Sequence, residues 1–106
     1  MIILLHGDNI ERSRSELVRL RESAKAKEIR TLIGKDVTAQ TLTQALESSS
    51  LFGGETLVII ENLFSRLGKK LKQAEEFGRI LRNAPDTDII LWEDKELGIG
   101  IQKVLG

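Results

Sequence analysis

Ser48-Ser49-Ser50-Leu51-Phe52-Gly53-Gly54-Glu55-Thr56-Leu57-Val58-Ile59-Ile60-Glu61-Asn62-Leu63 joins two kinds of sequence that normally stay apart. Leu57 to Ile60, within a strand that begins at Thr56, has the unbroken apolar character of a strand buried on both faces, as in the interior of a parallel sheet. Just before it, Leu51-Phe52 sits between a serine run and two glycines, which act as a flexible joint. Large apolar residues are usually buried, so the residues alone favour packing of Leu51 and Phe52 under the sheet. The competing reading is an apolar tip at a helix end, presented to another protein.

Working outward, Ile2 to Leu5 is a second apolar run, followed by a turn at His6-Gly7-Asp8-Asn9. Asp8 with Glu11 has the spacing of a capping box and opens a helix from about Asn9 to Ala26. Ile10, Leu17, Leu20 and Ala24 form its inward stripe. Glu28 to Ile33 reads as a shorter strand ended by Gly34, and Arg30 and Thr31 place it at a sheet edge. Thr38 caps the next helix, with Val37 and Leu42 as a hydrophobic staple. That helix turns Leu42, Ala45, Leu46 and Ser49 inward and ends near Ser50.

Beyond the central strand, Leu63 to Gly68 reads as a connection and Lys69 to Asn83 as a helix. Leu67, Leu71, Ala74, Phe77 or Gly78, and Leu81 have helical spacing, and Pro85 closes the helix. Thr87 to Trp92 is the fourth strand. Lys95 to Leu105 is a closing helix carrying Leu97, Ile101, Val104 and Leu105, weakened by Gly98 and Gly100 by about 1 kcal/mol each. Strand and helix thus alternate, which predicts an α/β domain with a parallel sheet. The short run beyond the fourth strand leaves one sheet edge poorly covered, as if a partner domain were missing.

The composition bounds the function. The 106 residues make one domain, 41% hydrophobic and 30% charged, with sixteen basic and sixteen acidic side chains. That balance gives no global field toward nucleic acid or anionic membrane. There is no cysteine, so disulfides and cysteine metal sites are excluded, in keeping with a reducing compartment. No apolar run is long enough to span a bilayer, and the opening reads as a strand rather than a signal peptide.

In open α/β sheets ligands bind beyond the carboxyl ends of the strands. Asp8, Glu61, Glu93 and Asp94 arrive there and could hold Mg²⁺ for a phosphotransfer or phosphoacceptor function. The plainer reading is that Asp8 caps a helix and the other acids are solvated. A phosphate loop starting at Gly7 would need a glycine, a lysine and a hydroxyl where Arg12, Ser13 and Arg14 stand, so that chemistry is not expected. His6 is the only histidine and Trp92 the only tryptophan, which favours structural roles. Ser48-Ser49-Ser50 has no base at a recognisable spacing. Lys69, Lys70 and Lys72 are followed by Glu75 and Glu76 and read as a solvated face.

Ser50-Leu51-Phe52-Gly53-Gly54-Glu55-Thr56-Leu57-Val58-Ile59-Ile60-Glu61-Asn62-Leu63 closely resembles a hallmark stretch of the delta subunit of bacterial DNA polymerase III. Leu4-Leu5-His6-Gly7-Asp8-Asn9 is similar to that family's first strand and degenerate phosphate loop. Thr87-Asp88-Ile89-Ile90-Leu91-Trp92-Glu93 is similar to the strand near the end of its N-terminal domain. The resemblance covers the whole chain as that domain alone, without the lid and collar domains. Gly98, Gly100 and Ser49 depart from the pattern.

What the resemblance implies is a clamp-loader ATPase-type (P-loop NTPase-like) fold with strand order 1-4-3-2. It implies no nucleotide, metal or other cofactor and no catalysis by this chain, although the parent assembly is a DNA-directed DNA polymerase. Leu51 and Phe52 become the wedge that enters an apolar pocket of the sliding clamp and helps open it for loading onto primed DNA. Other loader subunits are contacted through the missing domains and DNA only indirectly, in the cytoplasm and away from any membrane.

Overall fold

The computed structural model describes residues 2–7, 9–23, 28–50, 56–67, 70–83, 87–95 and 97–100. In chain order these form β1 (Ile2–Leu5), α1 (Ile10–Ser23), β2 (Glu28–Ile33), a 3₁₀ turn (Gly34–Asp36) and α2 (Ala39–Ser50). They continue with β3 (Thr56–Glu61), α3 (Leu63–Leu67), α4 (Leu71–Arg82) and β4 (Asp88–Trp92). The four strands make one sheet in the order β1-β4-β3-β2, and every neighbouring pair is parallel. β2 takes an edge, as Arg30 and Thr31 suggest, and the two apolar runs β3 and β4 take the centre.

Alternation along the strands divides the core in two. Val58, Ile60, Ile89 and Leu91, with Ile2, Leu4 and Leu32, point to the face covered by α2, α3 and α4. Leu57, Ile59, Ile90 and Trp92, with Ile3, Leu5 and Ile29, point to the other, where α1 packs through Leu17 and Leu20. The result is three layers, with three helices on one side of the sheet and α1 on the other.

Local chemistry explains the helix starts. Thr38 accepts a hydrogen bond from the Thr41 amide through its hydroxyl (3.1 Å), while the Thr38 amide donates to the Thr41 hydroxyl (2.8 Å). This reciprocal cap satisfies donors that a helix start leaves unpaired. Val37 and Leu42 are both buried, as a hydrophobic staple requires. In α1 the cap is Asn9, whose Oδ1 accepts the Arg12 amide at 3.0 Å. Asp8, assigned that role from the sequence, lies outside the described residues.

Four sequence expectations are corrected. Leu63–Leu67 is a short helix, with Leu63, Phe64, Ser65 and Leu67 buried, rather than a bare connection. The helix expected from about Asn9 to Ala26 is present as Ile10–Ser23, and residues 24–26 lie outside the described residues. Ile10 is 49% exposed, because it starts α1 about 10 Å along the axis from Leu17, past the sheet end. Leu71 is 47% exposed, because Ala74, Phe77, Gly78 and Leu81 form the inward stripe of α4. Of the closing helix expected from Lys95 to Leu105, Ile99 and Gly100 are helical, whereas Lys95, Leu97 and Gly98 are not, the Leu97 amide donating instead to His6 Nδ1 at 3.1 Å; Ile101, Val104 and Leu105 lie outside the described residues. Among the described residues, no helix is long and apolar enough to cross a membrane.

Candidate functional site

Two ends of the sheet compete as functional sites. At the amino end, α2 finishes at Ser50 and β3 begins at Thr56. Leu51 and Phe52 fall between them and lie outside the described residues, as do Gly53 and Gly54. Their two anchors are firm. Leu42 and Leu46 bury the inner face of α2, and Thr56 to Ile60 is buried without a break. The Thr56 hydroxyl is itself buried and has no hydrogen-bond partner among the described residues.

At the carboxyl end the acids do not converge. Glu93, read as either a magnesium ligand or a solvated loop residue, is 0% exposed. Its Oε1 accepts the Phe64 amide at 2.8 Å, and its Oε2 accepts the Ser65 amide (3.2 Å) and the Ser65 hydroxyl (2.9 Å). Glu93 is therefore the side chain that satisfies the start of α3. Burial pushes its carboxyl above the ordinary carboxylate range; the three hydrogen bonds from Phe64 and Ser65 work against that rise, and the Asp94 charge adds to it. The sequence gives little sign of this cap, because the donors stand 28 and 29 positions before the acceptor.

Glu61 is paired with Arg14 at 2.6 Å. The Arg14 guanidinium lies 4.0 Å from the centre of the Trp92 ring, a cation–π contact. The Trp92 indole N–H donates to the Ser13 hydroxyl at 3.0 Å. Arg14 and Ser13 thus fasten α1 to the ends of β3 and β4, which gives the lone tryptophan the packing role its position suggested. Asn62 follows with φ 59°, and its Oδ1 accepts the Asp94 amide at 2.9 Å. Among the described residues, no three acids or histidines stand together to hold a metal. Glu61 and Glu93 are assigned as structural residues, and Asp8 lies outside the described residues.

Gly7 (φ 131°) opens a cavity of about 440 Å³ lined by His6, Asn9, Arg12, Ser13 and Glu16. It occupies the place of a phosphate loop, but the Arg12 amide and the Ser13 hydroxyl are already engaged. The Arg12 amide is held by Asn9, and the Ser13 hydroxyl donates to the Ile10 carbonyl while accepting from Trp92. On the outer surface Lys70 and Lys72 are exposed at the start of α4, and Lys69 lies outside the described residues. The side chains of Ser49 and Ser50 also lie outside them, and Ser48 is half-buried.

No family model and no solved structure matches the chain. Over 101 residues it is 29% identical to a protein of Aquifex aeolicus (strain VF5) described as a probable DNA polymerase III subunit delta. The match covers 91% of this chain and 29% of that protein, so the chain spans less than a third of that relative's length.

Proposed function

We propose that this chain is the clamp-binding domain of a delta-type clamp-loader subunit and acts in DNA replication. The observation that carries the reading is the similarity to a probable polymerase III delta subunit along 91% of the chain. It agrees with the resemblance centred on Leu51-Phe52. The parallel sheet in the order β1-β4-β3-β2 is compatible with the fold that the resemblance implies. In this reading residues 1–106 are one domain of P-loop NTPase-like ancestry that neither binds nucleotide nor catalyses. The loader's remaining domains and subunits, and the polymerase they serve, stand outside it.

Leu51 and Phe52 are the wedge. Two apolar side chains at the end of an anchored helix can fill a pocket on the ring-shaped clamp and act as hot spots. Such a contact opens a ring only by binding the open form more tightly than the closed one. The test is binding to the cognate clamp by wild type and by the double variant Leu51→Ala/Phe52→Ala. Loss of each hot-spot side chain is worth about 2 kcal/mol or more, so the double variant should bind at least ~100-fold more weakly. Its circular dichroism should match the wild type. Undiminished clamp binding, or global unfolding of the variant, would overturn the assignment.

A further inference from the structure

We propose that the groove between α2 and α4 binds an extended peptide bearing an acidic side chain, with Gln40 and Gln44 meeting its backbone and Arg79 its carboxylate. The groove has a volume of about 410 Å³ and lies between the first half of α2 and the second half of α4. The two helices share a buried core through Leu42, Leu46, Ala74, Phe77 and Leu81. Where the α2 side shrinks to Ala39 and Thr43 the groove opens, and half-buried Ile80 completes its small, largely apolar lining. The Thr43 hydroxyl is spent within its own helix, donating to the Ala39 carbonyl at 2.8 Å.

The remaining lining is polar and unengaged. Gln40 and Gln44 on α2 and Asn83 at the close of α4 are exposed, and their carboxamides make no hydrogen bond among the described residues. Each carboxamide offers a donor and an acceptor together, the complement of a peptide group. Gln40 and Gln44 are one turn apart, about 6 Å along the helix axis. An extended chain presents the same side every second residue, about 6.6 Å along its length. The spacings match, so the two glutamines can meet alternate backbone groups of one peptide lying along α2.

Charge selects the side chain. Arg79 and Glu76 line the same groove, about one turn apart on α4, and neither has an ion pair among the described residues. A guanidinium has only donors and suits a carboxylate; a carboxylate has only acceptors and can take a peptide N–H. The same pair disfavours nucleic acid, because Glu76 repels phosphate and no aromatic ring lines the groove to stack a base. Gln44 stands about 9 Å along α2 from Ser50, so the groove is separate from the proposed wedge and peptide binding does not depend on the clamp assignment.

Nuclear magnetic resonance of the 106-residue chain tests this with two capped tetrapeptides, acetyl-Ala-Asp-Ala-Ala-amide and acetyl-Ala-Lys-Ala-Ala-amide. The aspartyl peptide should shift the side-chain amide signals of Gln40, Gln44 and Asn83 and the Arg79 Nε–H signal saturably. It should bind about tenfold more tightly than the lysyl peptide, the factor of one charge-assisted hydrogen bond. Arg79→Ala should abolish that preference. Gln40→Ala/Gln44→Ala places a good helix former at two exposed positions, so the fold should persist, and both peptides should bind about tenfold more weakly. Leu51→Ala/Phe52→Ala should leave the shifts intact, whatever it does to clamp binding. No saturable shift up to about 10 mM peptide, equal affinity for the two peptides, or loss of the shifts in Leu51→Ala/Phe52→Ala would overturn the proposal. So would a DNA oligonucleotide that shifts the same side chains at lower concentration than the aspartyl peptide.

Discussion

Glu93 keeps its carboxylate in a place that excludes water, with Phe64 and Ser65 as its hydrogen-bond donors. Because burial raises its pKa, the folded chain holds that proton more tightly than the unfolded chain does. Its contribution to stability is therefore full below the unfolded value, about 4.3, and declines as pH rises through the higher folded value. Glu93→Gln removes that dependence and leaves one oxygen to serve three donors, at a cost of about 1–3 kcal/mol near neutrality. Urea unfolding should show the wild type's advantage over Glu93→Gln growing between about pH 7 and about pH 4. A shrinking gap would mean that the hydrogen bonds outweigh burial. From the sequence Glu93 reads as one of four acids at strand ends, because nothing local shows a residue bonding 28 and 29 positions back.

At the scale of elements, α3 is the part the sequence hides and Gly34 is the part it half shows. Five residues are too few for helical periodicity, and α3 takes its cap from β4 rather than from its own flank. Gly34 reads as a strand stop, but its space is filled by another element. A Cβ there would stand 2.3 Å from the Asn62 carbonyl oxygen, a backbone atom that cannot swing aside. Gly34→Ala should therefore push the β3–α3 junction off the 3₁₀ turn and cost about 1–3 kcal/mol in thermal or denaturant unfolding. The cap of α2 was legible because Val37, Thr38 and Leu42 are neighbours, and the Thr38–Thr41 bonds and buried staple bear it out.

For the molecule as a whole, the parallel sheet was legible because Leu57 to Ile60 and Ile89 to Leu91 leave no polar face, and because helices separate the strands. The strand order was not readable from those runs: any apolar strand can pair with any other, and the order 1-4-3-2 came from the resemblance. The same holds for the proposed site, since Leu51-Phe52 gains its meaning from the surrounding likeness rather than from periodicity. The order makes its own prediction. β3 and β4 are central and buried, whereas β1 is half-buried along its length and β2 is partly exposed. Hydrogen exchange should find the β3 and β4 amides opening only with global unfolding and those of β1 and β2 opening earlier; equal protection in all four would contradict it. The parallel arrangement has one more consequence. β3 separates its two ends by about 20 Å, with the close of α2 at one end and the Glu93 cap and His6 contact at the other. Perturbations more than about 7–10 Å apart usually combine additively. The residues proposed to meet a partner beyond Ser50 can therefore drift, or be exchanged for those of another lineage, without compensating change at the opposite end.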